Sequence, residues 1–115
     1  MKTLIARTVM ETPVEKNPHG VDARKVYDTE HATMVHITLQ PGESLKKHIT
    51  PVDVAFYVLE GTGVVEIGDE RQECRPDTLI ESPARVPHRW INEGDRPFRV
   101  LVVKVPRPTE TTRLL

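Results

Sequence analysis

At 115 residues, 37% hydrophobic and 29% charged, with a formal net charge of −1, the chain has the make-up of one soluble globular domain. The near-neutral balance gives no electrostatic reason to expect nucleic acid or an anionic membrane as the main partner. No apolar run reaches the length of a signal-peptide core or a bilayer span, which leaves the cytoplasm as the expected location. Cys74 is the only cysteine, so an internal disulfide or a CxxC motif is ruled out and the thiol reads as inert.

Helical periodicity is scarce. Short runs rich in Val, Ile and Thr are punctuated by Gly, Pro and Asp about every ten residues, the pattern of a sandwich or barrel. Residues 1–20 form an N-terminal arm, in which Lys2–Val9 is a candidate edge strand and Glu11–Gly20, with Pro13 and Pro18, is irregular. The barrel is expected over residues 21–106, with strands at Ala23–Tyr27, Thr33–Gln40, Asp53–Leu59, Gly63–Ile67, Thr78–Glu81, His88–Asn92 and Phe98–Val105. Glu60-Gly61-Thr62-Gly63 is a tight connection and Gly68-Asp69-Glu70 a hairpin turn, because Gly and Asp tolerate the positive φ such turns need. Residues 107–115 are a polar C-terminal tail, expected to be mobile.

Successive residues of a strand point to opposite faces. Val54, Phe56 and Val58 therefore share one face and Ala55 and Tyr57 the other, and Val100 and Val102 oppose Leu101, Val103 and Val105. Both faces are apolar in both strands. Such strands suit a small barrel whose outer wall is covered by another sheet or by a second copy of the chain.

The spacing of Pro41-Gly42, His48-x-Thr50 and Tyr57-Val58-Leu59-Glu60-Gly61 resembles the first motif of the cupin superfamily, G(x)5HxH(x)3–4E(x)6G. Pro83-Ala84-Arg85-Val86-Pro87-His88, followed by Asn92, resembles the second, G(x)5PxG(x)2H(x)3N. Both motifs in this order imply a small single-domain cupin: an all-β double-stranded β-helix or jelly-roll barrel, paired as a homodimer. The resemblance also implies a divalent metal held inside the barrel by three histidines and a glutamate. Here His48 and His88 match, Thr50 replaces the second histidine, and Val54 stands at the glutamate position. Arg85 occupies a position where a glycine is usual.

Two imidazoles are one donor short of the three protein ligands common at catalytic metal sites. Asp53 is a remote third candidate, since alternation turns it away from the face of Val54 unless a bulge at Pro51-Val52 rotates it inward. His36 reads as a partly exposed or interface residue, and His19 and His31 as solvated loop histidines. Alternation from His88 brings Trp90 toward Phe56, so His48, Thr50, Phe56, His88 and Trp90 are the expected ligand-binding residues of an apolar cavity with a few polar groups. Arg85 and Arg89 flank His88 as candidates for recruiting an anion. Neither Ser44, Ser82 nor Cys74 shows a nucleophile's partners, and no catalytic residue is assigned.

Three functions stay open at this point. One is a metal-dependent enzyme of isomerase or dioxygenase type acting on a small organic molecule, with one divalent ion that could be Fe, Mn, Ni, Zn or Cu. Another is a metal-free small-molecule-binding or sensor barrel. The third is an interaction protein whose cavity is closed by side chains.

Overall fold

Alternating inward apolar residues build ten strands in the computed structural model, which describes residues 3–115. They are β1 (Asp22–Asp28), β2 (Thr33–Leu39), β3 (His48–Ile49), β4 (Asp53–Glu60), β5 (Gly63–Ile67), β6 (Glu70–Cys74), β7 (Leu79–Ser82), β8 (His88–Ile91), β9 (Phe98–Val105) and β10 (Arg113–Leu114). Two five-stranded sheets result, ordered β1-β2-β9-β4-β7 and β10-β3-β8-β5-β6, with every pairing antiparallel. This is the jelly-roll arrangement the motifs imply, and no helix of the described residues is long and apolar enough to cross a membrane.

All seven predicted strands are present, each shifted by no more than one residue at either end. Three others were not foreseen. β6 carries the sequence ERQEC and is exposed except at Cys74; it exists because the two-residue turn Gly68-Asp69 returns the chain along β5 from Ile67↔Glu70 onward. β3 and β10 are two residues each and pair with one another, so the C-terminal segment lies against the strand that bears His48. In the N-terminal arm, Lys2 lies outside the described residues, and residues 3–9 form no strand. Arginine side chains rather than a ladder fasten the arm: Arg24 Nη1 donates to the carbonyls of Val9 (3.0 Å) and Thr12 (3.3 Å), and Arg7 Nη1 to Val26 O (2.7 Å).

The inner faces pack densely at one end of the barrel. Trp90, Phe56, Phe98, Val58, Val100 and Leu39 are buried there together, with the Trp90 ring edge-on to Phe56 at 5.5 Å and tilted over Phe98 at 4.9 Å. Each such side chain removed from water contributes about 1.5–3 kcal/mol before the entropy of ordering is counted. Asn92, also buried, binds this core to its loops by donating from Nδ2 to Leu39 O and Arg96 O. The outer face is only half covered, with Tyr57, Leu101 and Val103 partly buried and Leu59 and Val105 exposed.

The turn between β7 and β8 explains one departure from the family pattern. Val86 N–H returns to Pro83 O (3.4 Å), and Arg85, third residue of that turn, has φ of +66°. Positive φ at this position is what favours glycine in a type II turn. A β-carbon there costs about 1–2 kcal/mol, part of which glycine's greater unfolded freedom cancels. Arg85→Gly is therefore expected to raise unfolding free energy by about 0.5–1 kcal/mol in urea titration; a loss of stability would contradict the strain.

Candidate functional site

The end of the barrel opposite the aromatic core is not filled. A cavity of about 330 Å³ lies there, walled by apolar side chains that include Val35, Ile37, Phe56 and Val102. That volume is at the lower end of small-molecule sites. His48, Thr50 and His88 all line it. Antiparallel pairing of β3 with β8 sets His48 directly across from His88, and the two rings meet edge to face with centroids 4.5 Å apart.

Hydrogen bonds decide where the ring protons are. His48 Nδ1 lies 2.7 Å from Lys46 O, and a carbonyl only accepts, so Nδ1 carries the hydrogen and Nε2 holds the lone pair. His88 is engaged at both nitrogens, Nδ1 with Ser82 Oγ at 2.6 Å and Nε2 with Thr50 Oγ1 at 3.2 Å. Burial pushes the His88 pKa down to about 3, aided by the nearby charges of His48 and Lys104. Burial also lowers the pKa of His48. Both imidazoles are accordingly neutral near pH 7.

Two residues join the site that sequence reasoning left out. His19 lines the cavity because Asn17 ties a turn of the arm over the barrel mouth, accepting from His19 N–H at 3.1 Å and donating to Val21 O at 2.8 Å. The solvated reading of His19 is corrected: its ring lies 4.9 Å from that of His48, and its pKa falls to about 4 through burial and the charge of His48. His19 Nδ1 accepts from Lys46 N–H (2.9 Å), which leaves Nε2–H as a donor. Lys104 also lines the cavity, continuing the inward row of Phe98, Val100 and Val102, and burial lowers its pKa. Extending the alternation of β9 by one step would have found Lys104. Nothing local in the sequence marks His19.

Other expected residues sit elsewhere. Trp90 lies in the aromatic core and not among the lining residues. Asp53 is exposed and accepts from Ala84 N–H at 2.8 Å, so no bulge turns it inward. His36 is buried on the outer face, 2% exposed rather than partly open, where Nε2 accepts from Arg99 Nε at 3.1 Å. His31 is exposed beside Glu30. Arg89 and Arg85 face carboxylates, Glu66 at 2.7 Å and Glu110 at 3.3 Å, and neither lines the cavity. Cys74 is buried, with its thiol pKa raised by burial.

These donors do not fit the four-ligand metal set that the cupin motifs imply. Position 54 offers a valine and position 50 a hydroxyl already turned to His88. Both nitrogens of His88 have protein partners, and an ammonium shares the cavity. Among the described residues no three of His, Cys, Asp and Glu gather closely enough to hold a metal ion.

Comparison with known proteins agrees with the architecture. A family model described as "Cupin domain" matches residues 35–104. TT1209 from Thermus thermophilus is 31% identical over 90% of this chain and 98% of its own, with a TM-score of 0.76. The polyketide cyclase RemF from Streptomyces resistomycificus shares the fold at 22% identity and a TM-score of 0.82, covering 98% of this chain and 86% of its own. Among curated relatives, the tetracenomycin polyketide synthase protein TcmJ of Streptomyces glaucescens is 36% identical over 57% of this chain and 45% of its own. A 5-nitrosalicylic acid 1,2-dioxygenase of Bradyrhizobium sp is 28% identical over 56% of this chain and 31% of its own. The chain thus spans less than half the length of the curated relatives it matches.

The neutral histidines make stability depend on pH. Between the ordinary value of 6.5 and the folded value of about 3, the unfolded chain binds a proton at His88 that the folded chain refuses. Stability is whole above pH 6.5 and is lost as the pH falls through that window, by up to about 1.4 kcal/mol per unit. Urea titrations from pH 7 to about 5 should show this decline, and it should be shallower in His88→Gln. A flat wild-type profile would contradict neutral burial.

Proposed function

We propose that this chain, which belongs to the cupin family, binds a small and largely apolar organic molecule in the barrel cavity, with His48 as its free polar contact and Thr50 and His88 on the same wall. One observation carries this reading: a cavity of about 330 Å³ stays open between apolar walls while His48, Thr50 and His88 all line it. An interaction protein with a closed cavity is disfavoured on the same ground. His48 Nε2 is the free acceptor and His19 Nε2–H the free donor, so a ligand hydroxyl or carbonyl has a partner on this wall. Phe56 gives a planar ligand a ring to lie against.

The resemblance to a dioxygenase favours a second reading, a metal-dependent enzyme of the isomerase or dioxygenase type. It requires a third donor close enough to share an ion with His48 and His88; His19 and Glu15 line the cavity, but among the described residues no three of His, Cys, Asp and Glu gather closely enough to hold a metal ion. The metal-free barrel is therefore preferred, with no side chain assigned to catalysis. A single buried thiol suits a reducing compartment, and the cytoplasm is the proposed location.

Binding of a neutral aromatic probe, naphthalene-2-carboxamide, tests the cavity by fluorescence titration. Wild-type protein should bind it saturably, and Val35→Phe, which places a ring in the same space, should weaken binding about tenfold or more while melting cooperatively. Equal binding by both proteins would place the probe elsewhere and contradict the reading. The half-covered outer face supports pairing of two copies over Tyr57, Leu101 and Val103. Sedimentation equilibrium should then give twice the chain mass of 13.1 kDa, whereas the chain mass alone would remove the dimer.

A further inference from the structure

Three lysines, Lys16, Lys25 and Lys104, line the cavity against one carboxylate, Glu15. Their situations differ. Lys25 is shared between Glu15 at 3.6 Å and Asp28 at 3.8 Å, toward the mouth. Lys104 is half-buried, and among the described residues no carboxylate pairs with it. Its strand neighbours are Thr33 on β2 and Val54 on β4. Position 54 is the one at which the cupin motif carries a glutamate, so a carboxylate that would have stood beside the ammonium is replaced by an isopropyl group.

A charge drawn into an apolar enclosure without a partner is unfavourable. Burial and the charge of Lys25 outweigh the relief that Glu15 gives it, and the charge of Lys104 in turn helps keep protons off His19, His48 and His88. Lys16 and Lys25 are exposed, so Lys104 is the half-buried cation of the lining, set among neutral imidazoles and apolar walls. The electrostatic complement of this cavity is an anion, and its steric complement is a compact hydrocarbon body.

We propose that Lys104 is the anchor for an organic anion, so that the ligand of this cavity is a small carboxylic acid whose carboxylate meets the Lys104 ammonium and whose apolar body lies among Val35, Ile37, Phe56 and Val102. The inference rests on the reading of the cavity as a small-molecule site and adds the chemical class of the ligand. A charge-assisted N–H···O bond in such a setting is stronger than a neutral one and supplies about ten- to hundredfold in affinity.

The test compares 2-naphthoate with its neutral isostere naphthalene-2-carboxamide on wild-type protein, Lys104→Met and Lys104→Gln. Wild type should prefer the carboxylate by about tenfold or more. Both variants should lose that preference, naphthoate affinity falling by about tenfold or more relative to the carboxamide, and cooperative melting reports that they are folded. Unchanged naphthoate affinity in the variants, with the carboxamide still bound, would overturn the role of Lys104 and leave the cavity reading standing. Failure of wild type to bind either probe would overturn both. Reading two variants keeps a folding defect in one from deciding the outcome.

Discussion

Strand pairing leaves no freedom in where Lys104 and the two histidines point. β9 lies between β2 and β4, its inward row runs Phe98, Val100, Val102 and then Lys104, and the pairing of β3 with β8 sets His48 against His88. A one-residue slip in either register would turn these side chains to the outside and Leu101 and Val103 to the inside. The apolar rows that fill the aromatic end of the barrel hold that register. The same burial that stabilises one end therefore imposes a charged and polar set on the other. Neutral imidazoles follow from desolvation beside an ammonium, and the proton positions follow from Lys46 O and the hydroxyls of Ser82 and Thr50. The chemistry of the cavity is in this sense a consequence of the core.

Departures from the family pattern divide by physical kind. Arg85 in place of glycine leaves the turn intact and costs only backbone strain at φ of +66°. Thr50 in place of histidine exchanges a nitrogen donor for a hydroxyl that binds His88. Val54 in place of glutamate has the largest effect, because it removes a negative charge from the row that also holds Lys104 and Ser82. With that carboxylate present, a dication and Lys104 would compete for it. Without it, the fixed cation is the protein's own.

The fold could be read from the sequence wherever alternation and burial coincide, as in β2, β4, β5 and β9. β6 escaped because Glu70-Arg71-Gln72-Glu73 has no apolar face; a turn and a neighbouring strand hold it in the sheet. β3 and β10 escaped because two residues carry no periodicity. For the site, the motif spacing placed His48, Thr50 and His88 together, and alternation placed Phe56 beside them. Trp90 misled because residues on one face of a strand can serve different ends of a barrel, and the Trp90 ring belongs to the packed end. His19 depends on where Asn17 folds the arm, a tertiary fact with no local signal. Lys104 was within reach of the alternation argument, but a lysine at the end of an apolar row reads as a strand's exit to solvent.

A crystal structure grown with 2-naphthoate and an excess of zinc, with anomalous data collected at the zinc edge, distinguishes a cavity whose ligand-binding cation is Lys104 from one in which it is a metal. The carboxylate is expected within about 3 Å of Lys104 Nζ, with no anomalous peak between His48 and His88. A zinc ion held by both imidazoles, with the carboxylate on the metal and Lys104 turned to solvent, would contradict the role of Lys104.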